Sequence, residues 1–354
     1  MVAMGVYEAL GVRRVINACG IYSDLGGSVL SPRAWAAAAE ANATWAAMDE
    51  LLDRSGERLA ALCGCEAARV VPGASAGIAL SIAACIARGD GAVSEALPAC
   101  DAVVLVQRAF SASYVYARCA TLAGARIEWV DDVAASLSGA VAVLHPAHLD
   151  DHGAPLDSFR DAAAAAGVPV VVDAAFAIEA FGHWATAGDI ACFSAKYFGG
   201  PNAGGFVAGR AGPVADVAAL DFTGYESGPW RHFGRAFKLD RATVAATVAA
   251  FEAFDPAAWR TRCAALAAEL AARCARLPGA VAAQAEFTLD ERLLAAPGNA
   301  VVLRGAAGLV PALAAGDPSV RALAIDGDLV LCLDVLENVD ELACAVERVW
   351  ELAH

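Results

Sequence analysis

Lysine is almost missing from this chain. Of 25 basic residues in a length of 354, only Lys196 and Lys238 are lysines. No cluster of basic residues occurs either, and the formal net charge is −15. A field of that sign repels phosphate backbones, so nucleic acid is not an expected partner. No apolar run reaches the ~18–20 residues that a membrane span requires, so no membrane partner is expected. The first residues carry Glu8, Arg13 and Arg14 and no long apolar core, unlike a secretory leader. Paired-cysteine spacing is absent as well. The 11 cysteines are odd in number, irregularly spaced and without a C-x-x-C pair. They read as small core residues in a reducing compartment, with no metal site expected and a cytoplasmic location.

What is present centres on one stretch, GDIACFSAKYFGGPNAGGFVAGR, from Gly188 to Arg210. Residues 190–193 read as a short strand and residues 206–208 as another, with a glycine-rich turn between them. Lys196 stands on the shoulder of that turn. An amine can act as a nucleophile where a guanidinium cannot, so a lysine kept in so lysine-poor a chain is a candidate for amine chemistry. One reading is a Schiff base with pyridoxal phosphate; the other is a solvent-facing lysine beside a hairpin.

Strands and helices alternate around this stretch. Strands are expected at 67–71, 102–107, 126–130, 141–144, 168–172, 190–193 and 206–208. Helices are expected at 78–88, 111–124 and 156–167. That alternation predicts an α/β fold, a mainly parallel sheet of seven-stranded type flanked by helices, with sites at the carboxyl ends of the strands. Residues 256–354 read as a smaller α+β unit, with paired strands at 319–325 and 328–333 around the turn pair Asp326-Gly327. The expected division is an N-terminal arm and helix over 1–45 that joins the small domain, a large domain over 46–250 and a small one over 251–354.

Several strand ends carry chemistry. After 67–71 comes PGASAGI, small residues leading into a helix. The backbone N–H groups of Ala74, Ser75 and Ala76, the Ser75 hydroxyl and the helix dipole would suit a phosphate there. Close packing alone also explains small residues at such a junction. Phe110 could stack on a ring or sit buried. Either imidazole of His145-Pro-Ala-His148 could face a pocket or be structural. Asp173 follows three valines, where a carboxylate is costly without a cation; a protonated pyridine nitrogen is such a partner, and a helix cap is the alternative. Asn17 and Tyr22 lie among glycines, in a lip over a pocket or a surface turn. Arg231, with His232 and Arg235, sits in a polar loop that would suit an anionic substrate. Arg304 and Arg321 are candidates to grip a substrate carboxylate.

Four motifs now stand in order: GVRRVINACGIYSDLGGSVLSP, VVPGASAGIAL, PVVVDAAF and FSAKYFGGPNAGG. With them the chain resembles fold-type I pyridoxal-phosphate enzymes, the aspartate aminotransferase superfamily. More closely it resembles the branch with bacterial selenocysteine synthase and D-glucosaminate-6-phosphate ammonia lyase. The resemblance spans residues 11 to about 250 and is weaker beyond. It implies that Lys196 holds the cofactor, that Asp173 bonds its ring nitrogen, and that Ala74, Ser75, Ala76 and Ser194 bind its phosphate. It also implies a homodimer or higher oligomer with shared sites, the glycines around Gly200 reaching the neighbour's phosphate. Where Phe110 stands the branch often has histidine, so stacking there would be by a phenyl ring. The selenium transferase carries an N-terminal extension and handles tRNA; this compact acidic chain is not expected to.

The expected function is an α-carbanion reaction on a small amino-acid substrate, with β-elimination or β-replacement leading. Racemisation or epimerisation and transamination are alternatives on the same scaffold. A cofactor-bearing regulatory or scaffold protein without turnover is the non-enzyme alternative.

Overall fold

The computed structural model describes residues 5–98, 101–227, 233–289 and 291–353. It divides into two compact units, residues 28–254 and residues 1–27 with 255–354. In chain order the strands are β1 (Val15–Asn17), β2 (Ala67–Val71), β3 (Val103–Gln107), β4 (Arg126–Val130), β5 (Ala140–Pro146), β6 (Val170–Asp173), β7 (Ile190–Ser194) and β8 (Gly205–Gly209). There follow β9 (Ala282–Phe287), β10 (Leu293–Leu294), β11 (Ala300–Leu303), β12 (Ser319–Arg321), β13 (Leu323–Ile325) and β14 (Asp328–Cys332).

The larger unit is built on a seven-stranded sheet in the order β2-β8-β7-β6-β5-β3-β4. β8 runs antiparallel to both its neighbours and the other pairings are parallel. Strands β6, β7 and β8 are buried at every position. That is why they read as unbroken apolar runs: helices cover both faces of a parallel sheet. The edge strand β4 alternates instead, and its Arg126 and Glu128 pair at 3.0 Å on the open side. The helix Gly73–Ala87 is apolar nearly all round and sits against the sheet. It lies so close that a Cβ on Gly77 would stand 3.1 Å from Val207 and 3.4 Å from Cys192.

The segment expected as an α-helix over 111–124 is a 3-10 helix from Val115 to Ala123. Its serine-rich, β-branched start, SASYV, is a poor α-helix former. The helix Pro32–Ala43, grouped on sequence with the arm, belongs to the larger unit. Ser31 caps it by accepting from the Ala34 N–H at 3.2 Å. It packs on the helix Arg241–Ala253, whose Arg241 donates to the Ala41 carbonyl at 2.9 Å and lies 4.3 Å over the Trp45 ring.

The smaller unit has a five-stranded antiparallel sheet, β10-β9-β11-β14-β13, and a parallel pair, β1-β12. The helices Pro256–Cys274 and Asp340–Ala353 complete its core around Leu270, Val301, Leu331 and Trp350. Asp326 and Gly327 both have positive φ, 51° and 87°, as the expected two-residue hairpin turn requires. The strand expected over 319–325 is split at Ala322. Its first half leaves the hairpin and pairs with β1, a partner some three hundred residues away.

Candidate functional site

The carboxyl edge of the large sheet collects the chemistry. Asp173 ends β6 and is in register with Cys192 on β7. Ser194 ends β7 opposite Gly205, and Gly205 is opposite Val71, the end of β2. Beyond Val71, Gly73 takes a left-handed φ of 84° and starts the helix Gly73–Ala87. A Cβ on Gly205 would stand 2.8 Å from the Gly73 Cα, so only glycine lets the helix start come this close to the first residue of β8. Two residues after Ser194, Lys196 lies half-buried in the turn Ala195–Phe198.

The start of that helix carries no side-chain cap. Its first amides lack intrahelical acceptors and present the positive end of the dipole. Ala74 and Ala76 are buried, while Ser75 is exposed and its hydroxyl faces the Cys119 thiol. Burial pushes that thiol's pKa up and Ser75 partly offsets the effect. The arrangement suits an anion bound by backbone N–H groups.

Asp173 is the buried carboxylate of the edge, 3% exposed. Its Oδ2 accepts from the Tyr114 hydroxyl at 2.8 Å, and its Oδ1 accepts from the Ala175 N–H at 3.2 Å. Burial raises its pKa above the usual carboxylate value, and these two donors pull it partly back. Among the described residues no cationic side chain pairs with it. Burial also raises the Tyr114 pKa, with the Asp173 charge adding to it, so Tyr114 stays a neutral donor.

Aromatic side chains link the carboxylate to the amine. Lys196 Nζ lies 5.0 Å from the Tyr197 ring centre. Tyr197 meets Phe176 at 5.4 Å, Phe176 meets His148 at 4.7 Å, and His148 meets Tyr114 at 6.0 Å. His148 therefore stands in this group. Phe110 does not: it is fully buried, packed edge-on to His145 at 5.7 Å, and Gly153 closes on its ring edge. With no exposed face it cannot stack on a bound ring, which corrects the sequence expectation. His145 is a core residue too, with Nε2 2.8 Å from Asp150. That bond chiefly lowers the Asp150 pKa.

Gly200 is buried in the turn. Its N–H donates to the Ala195 carbonyl at 2.8 Å, and a Cβ would meet the Ala195 Cβ at 2.8 Å. The remaining candidates lie in the smaller unit. Asn17 is in register with Arg321 across β1 and β12. Its amide is used in its own turn, accepting from the Cys19 N–H and donating to the Gly20 carbonyl. Tyr22 donates to Glu291 at 2.9 Å. Arg321 is exposed, whereas Arg304 is taken up by Asp328 at 2.6 Å. Arg304 is thus a structural ion-pair partner, not a free carboxylate clamp. Arg231 and His232 lie outside the described residues.

Tyr114 is the residue that sequence reading missed. It is 59 positions from Asp173, and nothing in SASYVYA marks one tyrosine as the inward one. Among the described residues no group of acidic, histidine or cysteine side chains is arranged to hold a metal. Nor is any described helix long and apolar enough to cross a membrane.

No family model matches the chain. It is 29% identical over 267 residues to D-glucosaminate-6-phosphate ammonia lyase of Salmonella typhimurium, covering 70% of this chain and 69% of that one. It is also 29% identical over 342 residues to 5'-C-glycyluridine monooxygenase-decarboxylase of a Streptomyces species, covering 89% of this chain and 83% of that one. A solved structure of D-glucosaminate-6-phosphate ammonia-lyase superposes with a TM-score of 0.83, 24% identity and 99% coverage of both chains. The resemblance to the ammonia-lyase branch holds in both sequence and fold, and the fold is the aminotransferase-like α/β fold expected.

Proposed function

We propose that this chain is a pyridoxal-phosphate enzyme that breaks a bond at the α-carbon of an amino acid, with β-elimination or β-replacement as the outcome. The observation that carries the reading is one sheet edge. It brings together an amine after β7, a buried carboxylate with no cationic partner among the described residues at the end of β6, and a helix N-terminus without a side-chain cap. These residues fit the group. Asp173 needs the positive charge that a protonated pyridine nitrogen offers, and the Gly73–Gly205 approach keeps the helix amides open to a phosphate.

Bound there, pyridoxal phosphate supplies an electron-poor ring that accepts the electrons released at the α-carbon. Lys196 is the attachment point, and its Nζ takes the proton from the substrate α-carbon once freed. Asp173 keeps a proton on the ring nitrogen. The N–H groups of Ala74, Ser75 and Ala76, with Ser194, hold the phosphate. His148, among the aromatic side chains, flanks the ring. Arg321, beside Asn17 and with Tyr22 on the following loop, receives the substrate carboxylate.

We infer a homodimer whose partner approaches the Gly200 turn. Val29, Trp35 and Trp45 are large apolar side chains left exposed, the residue type that a subunit contact covers. The described cysteines are all free, which fits a reducing, cytoplasmic setting.

Borohydride reduction of the purified protein followed by peptide mapping tests the attachment. Reduced cofactor is expected on Lys196, and Lys196→Ala is expected to carry none and to lose ~10²-fold or more of its activity. Label on Lys238 instead would sink the assignment. Candidate amino acids in heavy water then separate the reactions: elimination releases keto acid and ammonia, while racemisation returns α-deuterated amino acid. A second reading rests on the Streptomyces relative, whose match extends over more of this chain. Oxygen uptake with carbon dioxide release would favour that reading.

A further inference from the structure

We propose that Tyr114 is a positioning residue for Asp173, fixing where the proton shared with the bound cofactor's ring nitrogen resides. This rests on the pyridoxal-phosphate reading and deepens it. The Tyr114 hydroxyl is 2.8 Å from Asp173 Oδ2, and both residues are buried, at 2% and 3% exposure. Oδ1 is held separately by the Ala175 N–H. The carboxylate is therefore held at both oxygens, at the end of β6. A hydrogen-bond donor on a carboxylate stabilises its anion and makes it a weaker base. With the hydroxyl present the shared proton stays on the ring nitrogen; without it the proton moves toward Asp173, and the ring becomes a poorer electron acceptor.

The other titratable groups around Asp173 do not substitute for this donor. Cys119, on the 3-10 helix Val115–Ala123, and Cys192, on β7, both have raised pKa values, burial being the main cause and the Asp173 charge a further one. Both stay neutral, and the Cys192 thiol is engaged with the Ser81 hydroxyl at 3.8 Å. His148 reaches Tyr114 ring to ring, at 6.0 Å.

The test is holoenzyme reconstituted with pyridoxal phosphate labelled with 15N in the ring, examined by NMR at neutral pH. Wild type must first show borohydride-trapped label on Lys196; its absence overturns the cofactor reading itself, and this proposal with it. Given that label, Tyr114→Phe is expected to move the 15N signal toward the unprotonated position. The proton share should change about tenfold, with kcat falling by a similar factor and KM changing little. In an Asp173→Asn background the same substitution should add nothing to either readout. A Tyr114→Phe signal identical to wild type overturns the proposal and leaves the cofactor reading intact. So does an equal further loss in the Asp173→Asn background, which would mean that Tyr114 acts independently of the carboxylate. Phenylalanine keeps the buried ring. A Tyr114→Phe chain that does not fold would make the hydroxyl a folding determinant, and that too overturns the role stated here.

Discussion

Asp173 in the larger unit and Asp334 in the smaller one are both buried, and they have little else in common. Asp173 is 3% exposed and Asp334 is 4% exposed. Burial raises the pKa of both. Asp334 closes a knot within the smaller unit: its Oδ1 accepts from Asn299 at 2.6 Å, its backbone carbonyl accepts from Trp259, and Asn299 in turn bonds the Phe287 backbone. Asp173 stands at a strand's carboxyl end with one tyrosine and one amide. It shares its edge with the lysine turn and a free helix N-terminus. A displaced pKa therefore does not mark a site by itself; structural networks displace pKa values too. The company the group keeps decides.

The comparison is broken most directly by removing each charge in turn. Asp173→Asn is expected to lower kcat by about 10²-fold or more, because a preorganised charge aimed at the cofactor ring is lost. Asp334→Asn is expected to leave kcat per folded molecule within about twofold and to act on stability, by ~1–3 kcal/mol, the range for disturbing a buried hydrogen-bonded group. If both variants lose turnover equally, the distinction between a functional and a structural carboxylate fails.

A smaller effect sharpens it through pH. For Asp334 the folded pKa lies above its ordinary 3.8. In that case the native state holds the proton more tightly than the unfolded chain does. The contribution to stability is then complete below pH 3.8 and is lost as pH rises through the folded value. Urea midpoints measured as a pH series should show the difference, wild type minus Asp334→Asn, falling as pH rises from 3.8. A difference that grows over that range would reverse the sign of the argument.

The smallest expected effect lies at a helix end. Ser31→Ala removes the cap on Pro32–Ala43 and should cost about 1 kcal/mol, read as a shift in the larger unit's unfolding transition. It should leave the borohydride label on Lys196 unchanged.

Local chemistry was enough for much of this protein. The strand–helix alternation, the Ser31-Pro32 helix start, the Asp326-Gly327 turn and the lone lysine in a glycine turn each follow from residues within a few positions of one another. So does the placement of Asp173 at the end of an apolar strand. Contacts between distant segments were decided only by the fold: Tyr114 on Asp173, β1 beside β12, and the sealing of Phe110 behind Gly153. The physical reason is the same in each case. Backbone propensities and turn chemistry act over a few residues, whereas burial and hydrogen bonding across the sheet depend on which remote side chains the topology brings to the same place.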